Sequence, residues 1–272
     1  WKNSFTMKVS VAVVVYSAIV TTFVGRVVAS DVVPLQESTF VIEAMSTENR
    51  LATYGYAPFP GQFPYLTFIE NNGVVCNGAL ITPNYIVSVA RGCLNRSTIK
   101  TAQYGTAILA FNKNMWEQRI NFSASAINLH PYEDIALARL NYPATLNKHV
   151  QPIRLPKLSD SRSYVDMEGT TVATNRYVRN RVMSNAECTK EHPNFNATHV
   201  DICTDRYKGG AFCSFFLGSP LTIEDENGVI LIGLANWISS CDNNYPTGYA
   251  RILPFRDWIH NNSDYKFEHC TC

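Results

Sequence analysis

Short apolar segments separated by turn-forming residues recur after residue 50, and this pattern constrains the fold more than any other feature of the chain. The segments are 65–69, 79–81, 85–89 and 229–233, and Asn-Gly, Pro-Asn and Asn-Asn-Tyr-Pro turn signals accompany them. Apolar residues at positions 255, 258 and 259 instead have the spacing of one short amphipathic helix over 254–260. The pattern predicts an all-β chain with a helix near its C-terminus.

Eight cysteines indicate the compartment in which the chain folds. None stands in a Cys-x-x-Cys pair, and the sequence has no His-x-x-His or His-Glu-x-x-His pattern. Disulfide bonds therefore explain the cysteines better than a zinc site does. We expect an oxidising compartment, no metal and no cofactor.

The N-terminal segment is typical of a secretory leader. Lys8 precedes an apolar run over 9–24, and the small residues of 28–30 suit cleavage by a signal peptidase. A membrane anchor is the alternative. The run is shorter than the roughly 20 apolar residues of a spanning helix, however, so the segment favours secretion.

The charge balance excludes one class of partner. A net charge of +1, with no block of five like charges, creates no basic field for nucleic acid or anionic lipid. We therefore expect no nucleic-acid partner, and no membrane contact once the leader is removed. Charged residues make up only 17% of the chain, and glycans would offset this low share in a secreted protein. Four Asn-x-Ser/Thr sequons could carry them, at Asn95, Asn121, Asn196 and Asn261.

Seven ordered stretches carry motifs of one protein family. They are 60–65 (PGQFPY), 76–81 (CNGALI), 85–93 (YIVSVARGC), 130–140 (HPYEDIALARL), 151–156 (QPIRLP), 213–221 (CSFFLGSPL), and 236–237 with 247–251 (NW and TGYAR). Together they resemble the chymotrypsin/trypsin-like serine proteases, and especially the catalytically inactive homologues common in insects. The resemblance implies two six-stranded antiparallel β-barrels with a C-terminal helix, stapled by disulfides.

The leader pattern and the resemblance together predict an order of segments along the chain. Residues 51–262 would form the trypsin-like domain, cleaved from its pro-segment after Arg50. The other segments would be an upstream remnant before the first methionine, a signal peptide, a short pro-segment or spacer and a Cys-containing tail, over 1–6, 7–30, 31–50 and 263–272.

The catalytic triad of this family is incomplete in the chain. The family's histidine precedes the cysteine of its T-A-A-H-C motif, where this sequence has Arg91 and Gly92 and one residue more than the family pattern. Arginine cannot act as a base at neutral pH, and glycine has no side chain, so either alignment removes the base. Asp134 matches the aspartate, but Leu217 takes the place of the nucleophilic serine. The resemblance therefore implies a protein without catalysis.

The surrounding positions depart from the family as well. Phe215 replaces an oxyanion-hole glycine, and Leu217 takes the second oxyanion-hole position. Phe216 replaces the aspartate that receives the new N-terminus, so Arg50 is expected to be a processing site only. None of the six histidines stands beside a candidate nucleophile motif. Side chains would narrow the specificity pocket, whose positions correspond to Ala211, Phe212, Trp237, Ile238 and Thr247.

By the same resemblance, six cysteines pair as Cys76–Cys93, Cys188–Cys203 and Cys213–Cys241. Cys270 and Cys272 have no counterpart in the family, and an intermolecular disulfide through either of them is our hypothesis. Between Gly169 and the stretch that begins at Tyr177, about 15 residues of the family pattern are missing. Either the second barrel tolerates a trimmed loop or the transcript is damaged at this point.

The sequence favours a secreted protease homologue that acts by binding, as a cofactor, decoy or regulator. The setting would be extracellular, in a proteolytic cascade, immunity, saliva or digestion. The expected partner is a protein, such as a protease or an immune or haemostatic factor. The alternatives are an active serine-type endopeptidase and a non-functional or mis-assembled transcript.

Overall fold

The computed structural model of the chain describes residues 55–71, 73–95, 104–110, 116–173, 176–192, 194–205, 217–237 and 245–267. The predicted remnant, signal peptide and pro-segment, together with Arg50, Cys270 and Cys272, lie outside these residues. Of the helices in the described ranges, none has the length and apolar character needed to span a membrane.

Antiparallel strands of the N-terminal half form one sheet of seven. They are β1 (Leu66–Asn71), β2 (Val74–Thr82), β3 (Tyr85–Ser88), β4 (Tyr104–Leu109), β5 (Gln118–Ser123), β6 (Ile127–Leu129) and β7 (Ala136–Arg139), in the order β5-β4-β1-β2-β3-β7-β6. The two end strands, β5 and β6, are consecutive in the chain and only the short 3-10 helix Ala124–Ala126 separates them. The sheet therefore curls into a barrel. Counted as one interrupted strand, β5 and β6 give the six strands that were predicted.

The C-terminal half forms a closed barrel of six strands, as predicted. They are β8 (Glu168–Ala173), β9 (Arg176–Met183), β10 (Asp201–Thr204), β11 (Pro220–Asp225), β12 (Gly228–Trp237) and β13 (Thr247–Arg251), closed in the order β10-β13-β12-β11-β8-β9. The fold is chymotrypsin-like, with two barrel-like antiparallel sheets and few helices.

The trimmed segment of the sequence corresponds to the hairpin of β8 and β9. These strands pair directly from Glu168↔Arg181 to Ala173↔Arg176, so two residues suffice to connect them. The second barrel closes with this short connection.

Two α-helices accompany the barrels in the described part of the chain. The predicted one is α2 (Arg256–Asn262), which follows the short 3-10 helix Leu253–Phe255 and buries Ile259. The other, α1 (Asn185–Glu191), was not predicted. It begins with a capping box, in which the Glu187 amide donates to Ser184 Oγ at 3.2 Å and the Ser184 amide donates to Glu187 Oε2 at 2.9 Å. The Ser-x-x-Glu pattern was visible in the sequence and could have revealed this helix.

One apolar core spans the two barrels. Buried residues of the first sheet, such as Ile69, Leu80 and Phe122, belong to the same cluster as Leu231 and Leu234 of the second barrel. Removal of this shared surface from water holds the barrels together. Their junction is therefore a fixed place at which side chains from both halves meet.

Two of the three predicted disulfides lie in the described residues, and both are present. Cys76 of β2 bonds to Cys93, and Cys188 of α1 bonds to Cys203 of β10. The third prediction, Cys213–Cys241, falls outside the part of the chain that the structure describes.

Candidate functional site

A short bridge, residues 217–219, ties the two barrels together beside the candidate site. The Asn77 amide of β2 donates to the Leu217 carbonyl at 2.8 Å, and the Gly218 amide donates to the carbonyl of Ala235 in β12 at 2.7 Å. The Asn77 side chain also donates to Ser219 Oγ at 3.1 Å. The backbone at position 217 is therefore held from both sides.

A cleft of about 730 Å³ opens at this junction, and we refer to it as the junction cleft. It brings together residues that are far apart in the sequence. From the first barrel come Arg91, Gly92, Glu133 and Asp134, and from the second half come Phe195, Thr198, His199, Val200, Asp201, Leu217, Asn236, Trp237, Ala250 and Phe255. The positions predicted for the base, the aspartate and the nucleophile thus meet in one place.

Asp134 is half-buried in the cleft, where it accepts the backbone N–H of Arg91 at 2.7 Å. Burial raises the pKa of its carboxyl above the ordinary value, and the amide and the charge of Arg91 oppose this rise. Backbone thus holds the carboxylate that the resemblance assigns to the triad, in which it would orient an imidazole.

We predict that Asp134→Asn stabilises the protein at neutral pH. The folded carboxyl binds its proton more tightly than the unfolded one, because its pKa is raised. Its contribution to the free energy of unfolding therefore falls as pH rises from about 4, the unfolded value, through the folded pKa. Asparagine keeps an oxygen acceptor for the Arg91 N–H but has no charge to desolvate. Urea unfolding of both proteins between acidic and neutral pH should show the variant gaining on the wild type as pH rises. The prediction is wrong if the free energy of unfolding of Asp134→Asn, relative to that of the wild type, stays constant or falls as pH rises.

Gly92 and Leu217 face each other across the cleft. Gly92 has a left-handed backbone, with φ of 68°, and a Cβ added to it would lie 2.8 Å from Leu217 Cδ1. The aliphatic side chain of Leu217 thus takes the space beside the glycine. At these two positions the cleft has a hydrocarbon surface, which can neither attack a carbonyl nor transfer a proton.

His199 also lines the cleft, although no motif in the sequence singled it out among the six histidines. It is exposed and stands on the loop before β10, 65 positions after Asp134, so only the fold brings it to the cleft. Among the described residues, no hydrogen bond joins it to Asp134. Among the described lining residues, only Thr198 has a hydroxyl group. This hydroxyl donates to Asp201 Oδ2 at 2.8 Å. Since the same carboxylate oxygen accepts the Thr198 amide, this pair stabilises a turn.

An aromatic group of four rings borders the cleft and contains the predicted pocket residue Trp237. Its indole donates to Nε2 of His192 at 3.2 Å, and its ring centroid lies 5.5 Å from that of Phe195. The ring of Tyr245 packs on His192 at 4.9 Å. Burial lowers the pKa of His192, which favours the neutral imidazole that can accept this bond.

The remaining predicted site residues are not brought to the cleft or cannot be placed. Thr247 is buried in β13 and does not belong to the described lining of the cleft. Of the sequons, Asn121, Asn196 and Asn261 are exposed and Asn95 is half-buried. Five further predicted residues lie outside the described part of the chain: Ala211, Phe212, Phe215, Phe216 and Ile238.

The two barrels and the cleft at their junction define a chymotrypsin-like protein. The chain belongs to the trypsin family, whose model matches residues 53–259. It is 26% identical over 227 residues to the collagenase of Hypoderma lineatum, covering 77% of this chain and 86% of that protein. It is 25% identical to the trypsin of Sus scrofa, covering 75% of this chain and 92% of the relative.

Two further relatives bear on the site and the fold. The inactive CLIP domain-containing serine protease A8 of Anopheles gambiae is 27% identical, over 75% of this chain and 65% of the relative. A solved structure titled HL collagenase superposes with a TM-score of 0.66 and 25% identity, over 78% of this chain and 99% of that one. The family therefore includes both proteases and a member that is named inactive.

Proposed function

We propose that the chain is a secreted, catalytically inactive trypsin-family protein that acts by binding other proteins, as a cofactor, decoy or regulator. The observation that carries the proposal is Leu217, which presents a hydrocarbon side chain to the junction cleft opposite Gly92. Loss of a triad nucleophile or base alone lowers turnover about 10⁶-fold, and here both are replaced.

The surroundings of Asp134 also support the proposed inactivity. Its carboxylate oxygen is bonded to the Arg91 amide, and the residues at the predicted base position are an arginine and a glycine. A carboxylate without an imidazole to orient contributes nothing to acyl transfer. What the scaffold retains is a rigid surface stapled by disulfides.

Two disulfides in the described residues support the secretion part of the proposal. Such bonds form and persist in oxidising compartments and are rare in the cytosol. Expression of the full chain in a eukaryotic secretory host, followed by its detection in the medium, tests this part separately. Retention of the reduced chain inside the cell would contradict it.

The inactivity is tested with a fluorophosphonate probe, which labels activated serine nucleophiles, and with generic peptide substrates. We expect no labelling and no turnover at high protein concentration, while pig trypsin under the same conditions gives both. Leu217→Ala and Leu217→Ser are the matched variants. Both should remain unlabelled, since a serine at 217 would still lack its base.

One pattern of labelling would establish the alternative of an active endopeptidase. Labelling of the wild type that persists in Leu217→Ala but disappears on denaturation requires a nucleophile elsewhere in the folded chain. In that case His199 and Thr198 of the cleft would be the first residues to substitute.

A further inference from the structure

Asn196 stands on the rim of the junction cleft, in the loop between α1 and β10. Phe195 and Thr198, on either side of it, line the cleft, whereas Asn196 itself is exposed. With Ala197 and Thr198 it forms one of the four sequons. Within the described ranges, no hydrogen bond engages its carboxamide, so the amide nitrogen is open to modification.

The loop that carries Asn196 is braced on both sides. The Ala197 amide donates to Thr189 Oγ1 at 3.0 Å, and the Thr198 hydroxyl donates to Asp201 Oδ2 at 2.8 Å. The disulfide between α1 and β10 closes the same loop. A group attached at position 196 would therefore emerge at a defined point beside the cleft residues Phe195 and Thr198.

The other sequons have different surroundings. The Asn121 carboxamide oxygen accepts the Thr106 hydroxyl at 3.0 Å within the first sheet, and Asn261 lies in the last turn of α2. None of the four sequon asparagines belongs to the described lining of the cleft, but only Asn196 lies within two positions of described lining residues, Phe195 and Thr198. Asn196 is thus the sequon whose modification would alter access to the junction cleft.

The rim also offers a surface on which a sugar can pack. The ring of Phe195 stacks beside that of Trp237, which is 41% exposed although it is large and apolar. A pyranose ring has an apolar C–H face, and covering exposed aromatic surface is favourable in water. A glycan at Asn196 would cover these rings at the mouth of the cleft.

We propose that Asn196 carries an N-linked glycan that covers the mouth of the junction cleft and bars macromolecules from it. The proposal rests on the secretion part of the proposed function. In the transfer, Nδ2 of Asn196 loses one proton and bonds to C1 of N-acetylglucosamine, whose bond to the pyrophosphate of a lipid carrier breaks, and the lipid pyrophosphate leaves. A protein partner would then bind outside the cleft.

The test uses the full chain secreted from a eukaryotic host. Peptide N-glycosidase in heavy-oxygen water converts each glycosylated asparagine to labelled aspartate, and peptide mass spectrometry locates it. We expect label at Asn196 in the wild type and in Thr198→Ser, which keeps the sequon, and none in Asn196→Gln. Secretion with Asn196 unmodified would overturn the inference but leave the proposed function intact, whereas failure of secretion would count against both.

Access to the cleft is measured by quenching of Trp237 fluorescence, taken as the difference from Trp237→Phe. Acrylamide should quench the wild type and Asn196→Gln alike. Serum albumin labelled with nitroxide should quench Asn196→Gln several-fold more than the wild type, and Asn261→Gln should resemble the wild type. If the albumin probe quenches the wild type, glycosylated at Asn196, as strongly as it quenches Asn196→Gln, the glycan does not close the cleft to macromolecules.

Discussion

Replacement of Gly218 by alanine is expected to destabilise the protein by at least ~4 kcal/mol, or to prevent folding outright. A Cβ at this position would fall inside the van der Waals radii of the Asn77 carbonyl oxygen and Ser88 Oγ. The backbone there has φ of 76°, which side chains rarely adopt. Since Gly218 belongs to the bridge between the barrels, any shift that relieves the contact disturbs their junction. Urea unfolding, or the yield of folded protein, measures the effect.

Gly73→Ala is the matched control for this substitution. Gly73 has nearly the same backbone, with φ of 79°, but an added Cβ would meet no atom within 4 Å. Its replacement should cost only the strain of the left-handed backbone, about 1–2 kcal/mol. The difference between the two variants isolates the close approach of the bridge to β2. Equal losses would contradict the packing of Gly218 on Asn77.

Removal of the Cys76–Cys93 disulfide by double alanine substitution is expected to lower the free energy of unfolding by about 3 kcal/mol. The bond joins residues 17 positions apart, and its loss widens the unfolded ensemble. Cys93 also belongs to the helical turn Ala90–Leu94, which presents Arg91 and Gly92 to the cleft. We therefore expect faster hydrogen exchange of the Arg91 amide, whose acceptor is Asp134.

The Cys188–Cys203 pair serves as the control, because its separation of 15 positions is similar. Its removal should lower stability by about the same amount but leave exchange of the Arg91 amide unchanged apart from global unfolding. If both double variants accelerate that amide equally after correction for stability, the first disulfide has no local role in shaping the cleft.

Parts of this architecture were predictable and parts were not. The strands around Ile69, Val87 and Leu231 were visible as apolar segments, because burial in a sheet requires such residues locally. Helix α1 carries only one buried residue, Cys188, so it lacked an apolar pattern and its capping box was its one signal. The hairpin of β8 and β9 could not be told from a damaged segment, since closure of a barrel depends on strands far away in the chain.

The sequence by itself determined the chemistry at each position of the candidate site. Position 217 is a hydrocarbon, and positions 91 and 92 carry no imidazole, whatever the fold. Only the tertiary structure decided which side chains share the cleft: that Leu217 faces Gly92, that Asp134 accepts the Arg91 amide, and that His199 stands nearby. The identity of a side chain is covalent, whereas its neighbours depend on how two barrels pack over a common core.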